Sequence, residues 1–545
     1  MRGSLAVLCA AGASQPNFLV LFADDMGYGD LSAHGHPTAS TPRLDRLASE
    51  GMRFTQWYSG FHVCSPSRAS MMTGRLPIRS GLAGSGWTGG VFGNRAVGGL
   101  PTNETTIASM LGKQGYATLA VGKWHLGQRT EFLPVSHGFD EYYGIPYSDD
   151  MGSSPWRKAN DLVLPLLHNS TVVEQPADLS TITERYTEKA VDFMKRNTAA
   201  SKPWFLYLAW NHVHIPDFAS KQFCNSSIRG RFGDALAEMD FHAGQVLDGL
   251  EEAGASNNTV VFFTSDNGPW LIQRWAAGHA GHFFEGKTTT WEGGVRVPGI
   301  IRWPGRVPAG VVSHEIVATY DIFPTVAKLS GATLPGVALD GVDLSQVMLG
   351  NATTREDRCI MLYKGTPSRG IPVHPDDPQP GLWAVRCGPY KAHFVTSCAV
   401  MGALGDKRCV GSYDVGECHG SECDEKLLAM QGATAVHHDP PMMFQVEKDP
   451  GELYPLDPKS AAYKGALSKI LAAKKAHEDS LVPVPNQMSQ GVSKHHGKCC
   501  DPESQKKYPT YQNCTCNPEV WDKAFVCTPV DDSPSNHWSE HRGLV

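Results

Sequence analysis

The stretch NFLVLFADD, residues 17–25, decides the fold. Seven uncharged, mostly apolar residues stand in a row with no polar alternation. A continuous apolar run of that length marks a strand covered on both faces, as in the middle of an α/β sheet. It then stops at two consecutive aspartates, Asp24 and Asp25. The pattern recurs. Residues 116–121 (YATLAV) run into Lys123-Trp124-His125, residues 204–210 (WFLYLAW) into His212 and His214, and residues 259–263 (TVVFF) into Asp266-Asn267. Helical signals lie between these runs. Residues 41–51 offer an N-cap threonine, Pro42 at the first helical position, leucines on one face and a closing glycine. Residues 106–115 and 234–254 also read as helices ending in glycine. Alternation of this kind predicts an α/β domain. Ligands of open α/β sheets bind beyond the carboxyl ends of the strands, so the four runs deliver their polar residues to one edge.

A second stretch bears on chemistry. Residues 61–75 read FHVCSPSRASMMTGR, with Cys64-Ser65-Pro66-Ser67-Arg68 at the centre. The order Cys-x-Pro-Ser-Arg resembles the signal by which sulfatases have a cysteine oxidised to formylglycine. Ser65 reads as an N-cap and Pro66 as the first helical residue. Position 64 then lies beside a helix N-terminus, where free N–H groups and the helix dipole favour an anion. The plainer alternative for Cys64 is a disulfide partner or a buried free thiol.

The chain has 545 residues, enough for two or three domains. It is 41% hydrophobic and 19% charged, with a formal net charge of −7. That balance suits a globular protein and gives no basic surplus for a nucleic-acid groove. An anionic substrate therefore needs local positive charge. Residues 1–14 read as a short secretory signal peptide, and no later run is apolar and long enough to span a bilayer. Of 14 cysteines, 12 remain after Cys9 and Cys64, most of them between Cys398 and Cys527. Disulfides are the expected use. A zinc site at His495, His496, Cys499 and Cys500 is the competitor, but its spacing fits no standard module. Sequons at Asn103, Asn169, Asn225, Asn257, Asn351 and Asn513 suit a secretory glycoprotein.

The expected organisation is a catalytic α/β domain over 15–380, a smaller α+β subdomain over 381–482 and a Cys-rich tail over 483–545. Residues 382–396 and 442–446 read as strands of the second unit, and 458–481 as its helix.

Asp24, Asp25, Asp266 and Asn267 offer three carboxylates and an amide oxygen, a donor set for a hard cation such as Ca²⁺ or Mg²⁺. The alternative is a pair of Asx turns. Arg68, Lys123 and Lys287 are candidate partners for a sulfate. His125 and His214 are candidate proton carriers, against a structural role for each.

Taken together, FADDMGYGDL, CSPSRASMMTGR, VGKWHLG, HGFDEYYG, FFTSDNG and EGKTTTWEGGVRVP resemble the formylglycine-dependent sulfatases of the alkaline-phosphatase-like superfamily. The resemblance covers roughly residues 16–481 and points to the arylsulfatase A and N-acetylgalactosamine-6-sulfatase branches. It implies an alkaline-phosphatase-like sandwich around a large mixed sheet, with a smaller C-terminal domain carrying a four-stranded antiparallel sheet and a helix. It implies that Asp24, Asp25, Asp266, Asn267 and formylglycine 64 bind calcium, and that Arg68 and Lys123 stabilise the formylglycine hydrate. Lys287 and Ser148 would hold sulfate oxygens. The hydrate would attack sulfur, His214 would protonate the leaving oxygen, and His125 would help expel sulfate by deprotonating the second hydroxyl. A formylglycine-generating enzyme is the implied maturation partner, a homodimer the implied assembly, and the lysosome or extracellular space the implied location. The other readings are a phosphatase or phosphodiesterase of the same superfamily, or a non-catalytic protein binding sulfated glycans. Substrate loops are expected in 81–99, 148–170 and 270–284, with Trp87, Trp156, Trp270 and Trp275 as aromatic candidates. Most of these are expected simply to pack.

Overall fold

A computed structural model of the chain describes residues 15–84, 90–153, 164–353, 358–364, 381–398, 436–493 and 496. Ten strands form one mixed sheet: β1 (Asn17–Ala23), β2 (Met52–Tyr58), β3 (Ala117–Gly122), β4 (Glu141–Gly144), β5 (Leu166–His168), β6 (Thr171–Glu174), β7 (Trp204–Ala209), β8 (Thr259–Ser265), β9 (Arg296–Arg302) and β10 (Val311–Ala318). Their order is β10-β2-β9-β8-β1-β7-β3-β4-β5-β6. The central run from β8 to β4 is parallel throughout.

The apolar run that opens the chain is the reason for this arrangement. Every residue of β1 is buried. Phe18, Val20 and Phe22 point into one core with Met71, Met72, Ile107, Leu111 and Phe323. Leu19, Leu21 and Ala23 point into another with Leu44, Tyr186, Phe193, Leu236 and Met239. Helices Cys64–Thr73, Ile107–Gly112 and Ile322–Ser330 thus cover one face. Helices Pro42–Glu50, Leu179–Ala199 and Gly230–Glu252 cover the other. Each buried Phe or Leu contributes about 1.5–3 kcal/mol relative to exposure, so β1 cannot sit at an edge.

Four antiparallel strands form the second sheet in sequence order: β11 (Cys359–Lys364), β12 (Gly381–Cys387), β13 (Tyr390–Thr396) and β14 (Val436–Gln445). This sheet takes in β11, which lies ahead of residue 381. Cys359 and Cys387 face each other across β11 and β12 and form a disulfide. Cys224 and Cys398 each take part in a disulfide as well. Helix Ala461–Asp479, capped by Ser460, buries Tyr463 and Ile470 against the sheet. The second core is continuous with Tyr58, Ile316 and Ala318 of the large sheet.

Buried charge also joins the two sheets. Lys391 Nζ lies 3.0 Å from Glu292 and 3.2 Å from Glu452. His393 Nε2 donates to Glu452 at 2.7 Å, and Glu452 accepts from the Glu292 amide at 2.8 Å. All four side chains are buried. Among the described residues, no helix is long and apolar enough to cross a membrane.

Candidate active site

Strand register brings the four runs to one edge. Phe22 pairs with both Ala209 and Thr264, and Gly122 pairs with Ala209. Asp24, Asp266, Lys123 and Asn211 are therefore among the first residues beyond aligned strand ends. Gly122 has φ +98°, and a Cβ there would lie 1.8 Å from the Ala209 carbonyl oxygen. Only glycine fits, and it turns Lys123-Trp124-His125 away from the strand direction. Asp25 and His125 themselves have positive φ, +56° and +59°. Strained backbone of this kind concentrates at functional sites.

The cysteine helix starts two residues earlier than its sequence suggests. It runs Cys64–Thr73, and Val63 holds the N-cap position. The Val63 carbonyl accepts the first helical bond, from Ser67. Ser65 does not cap, because its Oγ accepts from the Phe92 amide at 3.1 Å. Cys64 thus stands in the first turn. It is buried and its thiol is free, with Sγ 3.3 Å from Lys287 Nζ and 3.7 Å from Asp24 Oδ1. Burial pushes the Cys64 thiol far up, against the pull of Lys123 and Lys287.

Each aspartate has its own cation. Asp24 accepts from Lys123 Nζ and lies 3.4 Å from Arg68. Burial would raise its carboxyl, but Lys123 and Arg68 hold it below the usual range. Asp25 accepts from Lys287 Nζ at 2.6 and 2.7 Å and from Asn267 Nδ2 at 2.7 Å. Asp266 accepts from Arg68 Nε and Nη2 at 3.0 and 2.8 Å and from the Asp25 amide at 3.0 Å. Burial and the neighbouring Asp24 raise it nonetheless. Arg68 also donates to the Lys123 carbonyl at 3.1 Å. Lys123 also donates to Ser148 Oγ at 3.1 Å. Burial disfavours the Lys123 charge, yet Asp24 outweighs it and the ammonium is pushed up to about 12.

The two histidines are assigned opposite tautomers by their partners. His214 Nδ1 lies 2.6 Å from the Ile215 carbonyl, which can only accept, so Nδ1 carries the proton. Its Nε2 faces Asp25 at 3.5 Å. His125 Nε2 donates to the Phe92 carbonyl at 2.9 Å. Its Nδ1 is buried with no hydrogen-bond partner among the described residues. Burial, then the Lys123 and Arg68 charges, hold His125 well below the usual imidazole range, so it is neutral at pH 7.

The cluster around Asp24 and Asp25 has donor atoms close enough to hold a metal ion, with Asp266 outside the group that meets this spacing. Asp24, Asp25, Cys64 and His214 bring ligand atoms within 4.8 Å of one another. The buried Asn267 Oδ1 has no hydrogen-bond partner among the described residues, although it stands beside Asp25. An orphaned acceptor within a cluster of carboxylates is what an oxygen-seeking ion would satisfy.

Residues 16–332 match the sulfatase family model, and residues 355–516 match the C-terminal region of aryl-sulfatase. The chain belongs to the sulfatase family. That family comprises sulfuric ester hydrolases, and the fold is its alkaline-phosphatase-like sandwich with a smaller antiparallel domain. The chain is 38% identical to human arylsulfatase A, over 92% of this chain and 96% of the relative. It is 40% identical to N-acetylgalactosamine-6-sulfatase of Canis lupus familiaris, over 89% and 90%. A Pseudoalteromonas sulfatase crystal structure superposes with a TM-score of 0.72 at 27% identity, covering 87% of this chain and 91% of that one.

Asp149 and Asp150 at the site escaped sequence reasoning. Carboxylate oxygens of Asp149 and Asp150 lie within 4.8 Å of a His214 ring nitrogen. Their signal was a second aspartate doublet, right after Ser148. Trp270 lies with its ring centroid 4.8 Å from Lys287 Nζ and 5.6 Å from the His214 ring. Trp275 is 59% exposed. Trp87 and Trp156 lie outside the described residues, as do residues 1–14, read above as a signal peptide, and His495, Cys499 and Cys500.

Proposed function

We propose that this chain hydrolyses sulfate esters through a formylglycine made from Cys64, with a divalent cation, calcium by family resemblance, at Asp24, Asp25, Asp266 and Asn267. Aryl sulfates, sulfolipids and sulfated glycans are the candidate substrates. The carrying observation is the position of Cys64. It is buried in the first turn of a helix, between Lys287 Nζ and Asp24, where four strand ends meet. Burial keeps an ordinary thiol there protonated and thus a poor nucleophile. That argues for chemistry other than that of a thiolate.

Formylglycine, as its hydrate, would supply a hydroxyl nucleophile and a second hydroxyl for expelling sulfate, while the cation would supply positive charge beside the anion. The remaining work falls to the chain's own groups. Three carboxylates (Asp24, Asp25, Asp266) face three fixed cations (Arg68, Lys123, Lys287), so these six groups cancel. A divalent ion would add two positive charges to them on the sulfate side, while Asp149 and Asp150 stand on the far side of His214. Lys287 and Lys123 hold sulfate oxygens, and Ser148 orients Lys123. Arg68 locks Asp266 and the cysteine helix into register. His214, with Nδ1–H fixed on Ile215, presents Nε2 as the nitrogen that gains and gives a proton, and it protonates the leaving oxygen. His125, neutral with an open Nδ1, takes a proton in the second step.

Asn103, Asn225, Asn257 and Asn351 are exposed, which suits glycosylation in a secretory pathway ending in the lysosome or outside the cell. A formylglycine-generating enzyme of that pathway is the maturation partner, and a homodimer is the assembly that the family suggests.

The test is mass spectrometry of the tryptic peptide 54–68 from protein made in a secretory host. A mass lowered by the thiol-to-aldehyde difference, with sulfate-ester hydrolysis that needs the cation, is expected. An unmodified cysteine from a competent host removes the nucleophile and leaves a sulfated-glycan-binding protein.

A further inference from the structure

Residues 482–493, which follow the helix of the second unit, form no helix or strand, and of them only Met488 is buried. They nevertheless lie along residues 81–98 as a strap. The Gln487 amide donates to the Gly81 carbonyl at 2.8 Å, the Ser493 amide to the Arg95 carbonyl at 3.0 Å, and the Val97 amide to the Gly491 carbonyl at 3.1 Å. Ala96 and Val492 pair as an antiparallel bridge. A Cβ at Gly98 would stand 2.1 Å from the Gln487 carbonyl oxygen and 3.3 Å from the Phe92 ring, so Gly98 is wedged between the strap and Phe92. Met488 belongs to the same apolar core as Phe92 and Ala96.

The loop under the strap carries Phe92, whose backbone serves the site twice. The Phe92 amide donates to Ser65 Oγ at 3.1 Å, and the Phe92 carbonyl accepts from His125 Nε2 at 2.9 Å. Apart from the bridge at Ala96, residues 91–99 have no regular structure, so no helix or ladder of their own sets where that carbonyl lies. The two partners of Phe92 depend on it unequally. The cysteine helix is also held by Ser67 on the Asp266 carbonyl and by Arg68 on the Asp266 side chain. The His125 side chain has no other hydrogen bond among the described residues. With Nε2–H held on Phe92, Nδ1 is left bare to take a proton. Without that carbonyl, nothing sets which nitrogen carries the hydrogen. Gln128 and Arg129 reach the Ala96 and Val97 carbonyls as well, so loosening the strap shifts this loop and does not unfold it.

We infer that the strap, residues 486–493, is a positioning element for the sulfate-release step: through Ala96, Gly98 and Phe92 it fixes the tautomer of His125. This inference rests on the sulfatase reading above and assigns part of its second step to a segment more than 360 residues away in sequence from His125. Met488 and Ser493 are positioning residues that act through Phe92 and His125. Attack on sulfur does not depend on them, because the cysteine helix has its own anchors.

The experiment uses the matured full chain and 4-nitrophenyl sulfate, whose good leaving group makes attack fast and leaves release to limit kcat. The ratio kcat/KM covers only the steps through attack. Met488→Ala removes the buried anchor of the strap. Ser493→Pro removes its amide donor to Arg95 without opening a cavity, and Met488→Leu is the conservative control. Rates are counted per formylglycine found by mass spectrometry, so a variant that matures less does not pass for a slow one. Met488→Ala and Ser493→Pro are expected to lower kcat about three- to tenfold, the worth of one hydrogen bond. KM should fall in step, with kcat/KM within twofold of wild type, and Met488→Leu should keep kcat within twofold. If Met488→Ala is not secreted, Ser493→Pro decides alone. Two results overturn the inference. An unchanged kcat would mean that His125 does not depend on the strap, and kcat falling together with kcat/KM would mean that the strap only supports the site as a whole. A wild type carrying the aldehyde but inactive on every sulfate ester would instead sink the sulfatase reading.

Discussion

Arg68→Gln tests whether the candidate site is held together by fixed charge pairing. Arg68 is 0% exposed and makes two hydrogen bonds to Asp266, one to the Lys123 carbonyl and a 3.4 Å contact with Asp24. Glutamine shortens the side chain and removes the charge, leaving two buried carboxylates short of a partner. Breaking a buried pair from one side costs about 3–5 kcal/mol. The unfolding entropy of roughly 320 residues at about 2.1 cal/mol/K each is about 0.7 kcal/mol/K, so the apparent Tm should fall by about 4–7 °C. The assay is a thermal scan at fixed rate, in chelator so that only the protein's own charges count. The pH dependence provides a second check. Asp266 is already raised above its ordinary range by burial and by Asp24, and losing Arg68 raises it further. For a raised carboxyl, the stabilising contribution is complete at low pH and fades as pH climbs through the folded-state value. The deficit of Arg68→Gln should therefore be larger at pH 7 than at pH 5. A Tm change below 2 °C, or a deficit that grows on acidification, would refute the charge-pairing argument.

Three further expectations follow from the same geometry. His214→Ala should lower kcat for alkyl sulfates by about 10²–10⁴-fold but for 4-nitrophenyl sulfate far less, because only the poor leaving group needs a proton; equal losses on both would contradict the role of Nε2. Chelation should lower hydrolysis, and calcium should restore it with a rise in Tm set by mass action, while magnesium run in parallel tests the choice of ion. Glu452→Ala leaves Lys391 and His393 without a shared buried acceptor, and frees the Glu292 amide just after the Lys287 loop. It should cost about 3–5 kcal/mol in stability, read by thermal scan, and an unchanged Tm would show that the sheet junction does not depend on it.

Much of the fold was legible because burial on two faces leaves a plain mark. The run 17–23 appears as β1 without adjustment, and the runs at 116–121, 204–210 and 259–263 return as β3, β7 and β8 with ends moved by one or two residues. The helix expected at 234–254 begins earlier, at Gly230, since capping signals there are weak and packing decides the start. The Ser65 cap failed for a tertiary reason. Its hydroxyl is used by Phe92, 27 residues away, and Val63 takes the position with its carbonyl alone. The strand expected at 442–446 is the end of the longer β14, whose earlier part is polar and exposed and carries no apolar signal.

The sequence by itself determined which chemical groups leave the strand ends, and where an oxidisable cysteine stands. Both are local facts: an apolar period that ends, and five residues in a row. Tertiary structure alone decided the pairing. Lys123 meets Asp24 across 99 residues, Arg68 meets Asp266 across 198, and Lys287 meets Asp25 across 262. No periodicity encodes those distances. They follow from parallel register at the sheet edge and from loops that pack on each other, and a buried carboxylate tolerates only an arrangement that brings it a cation. The same holds for the orphaned Asn267 oxygen and the open His125 nitrogen, whose meaning comes from the neighbours they have and the partners they lack.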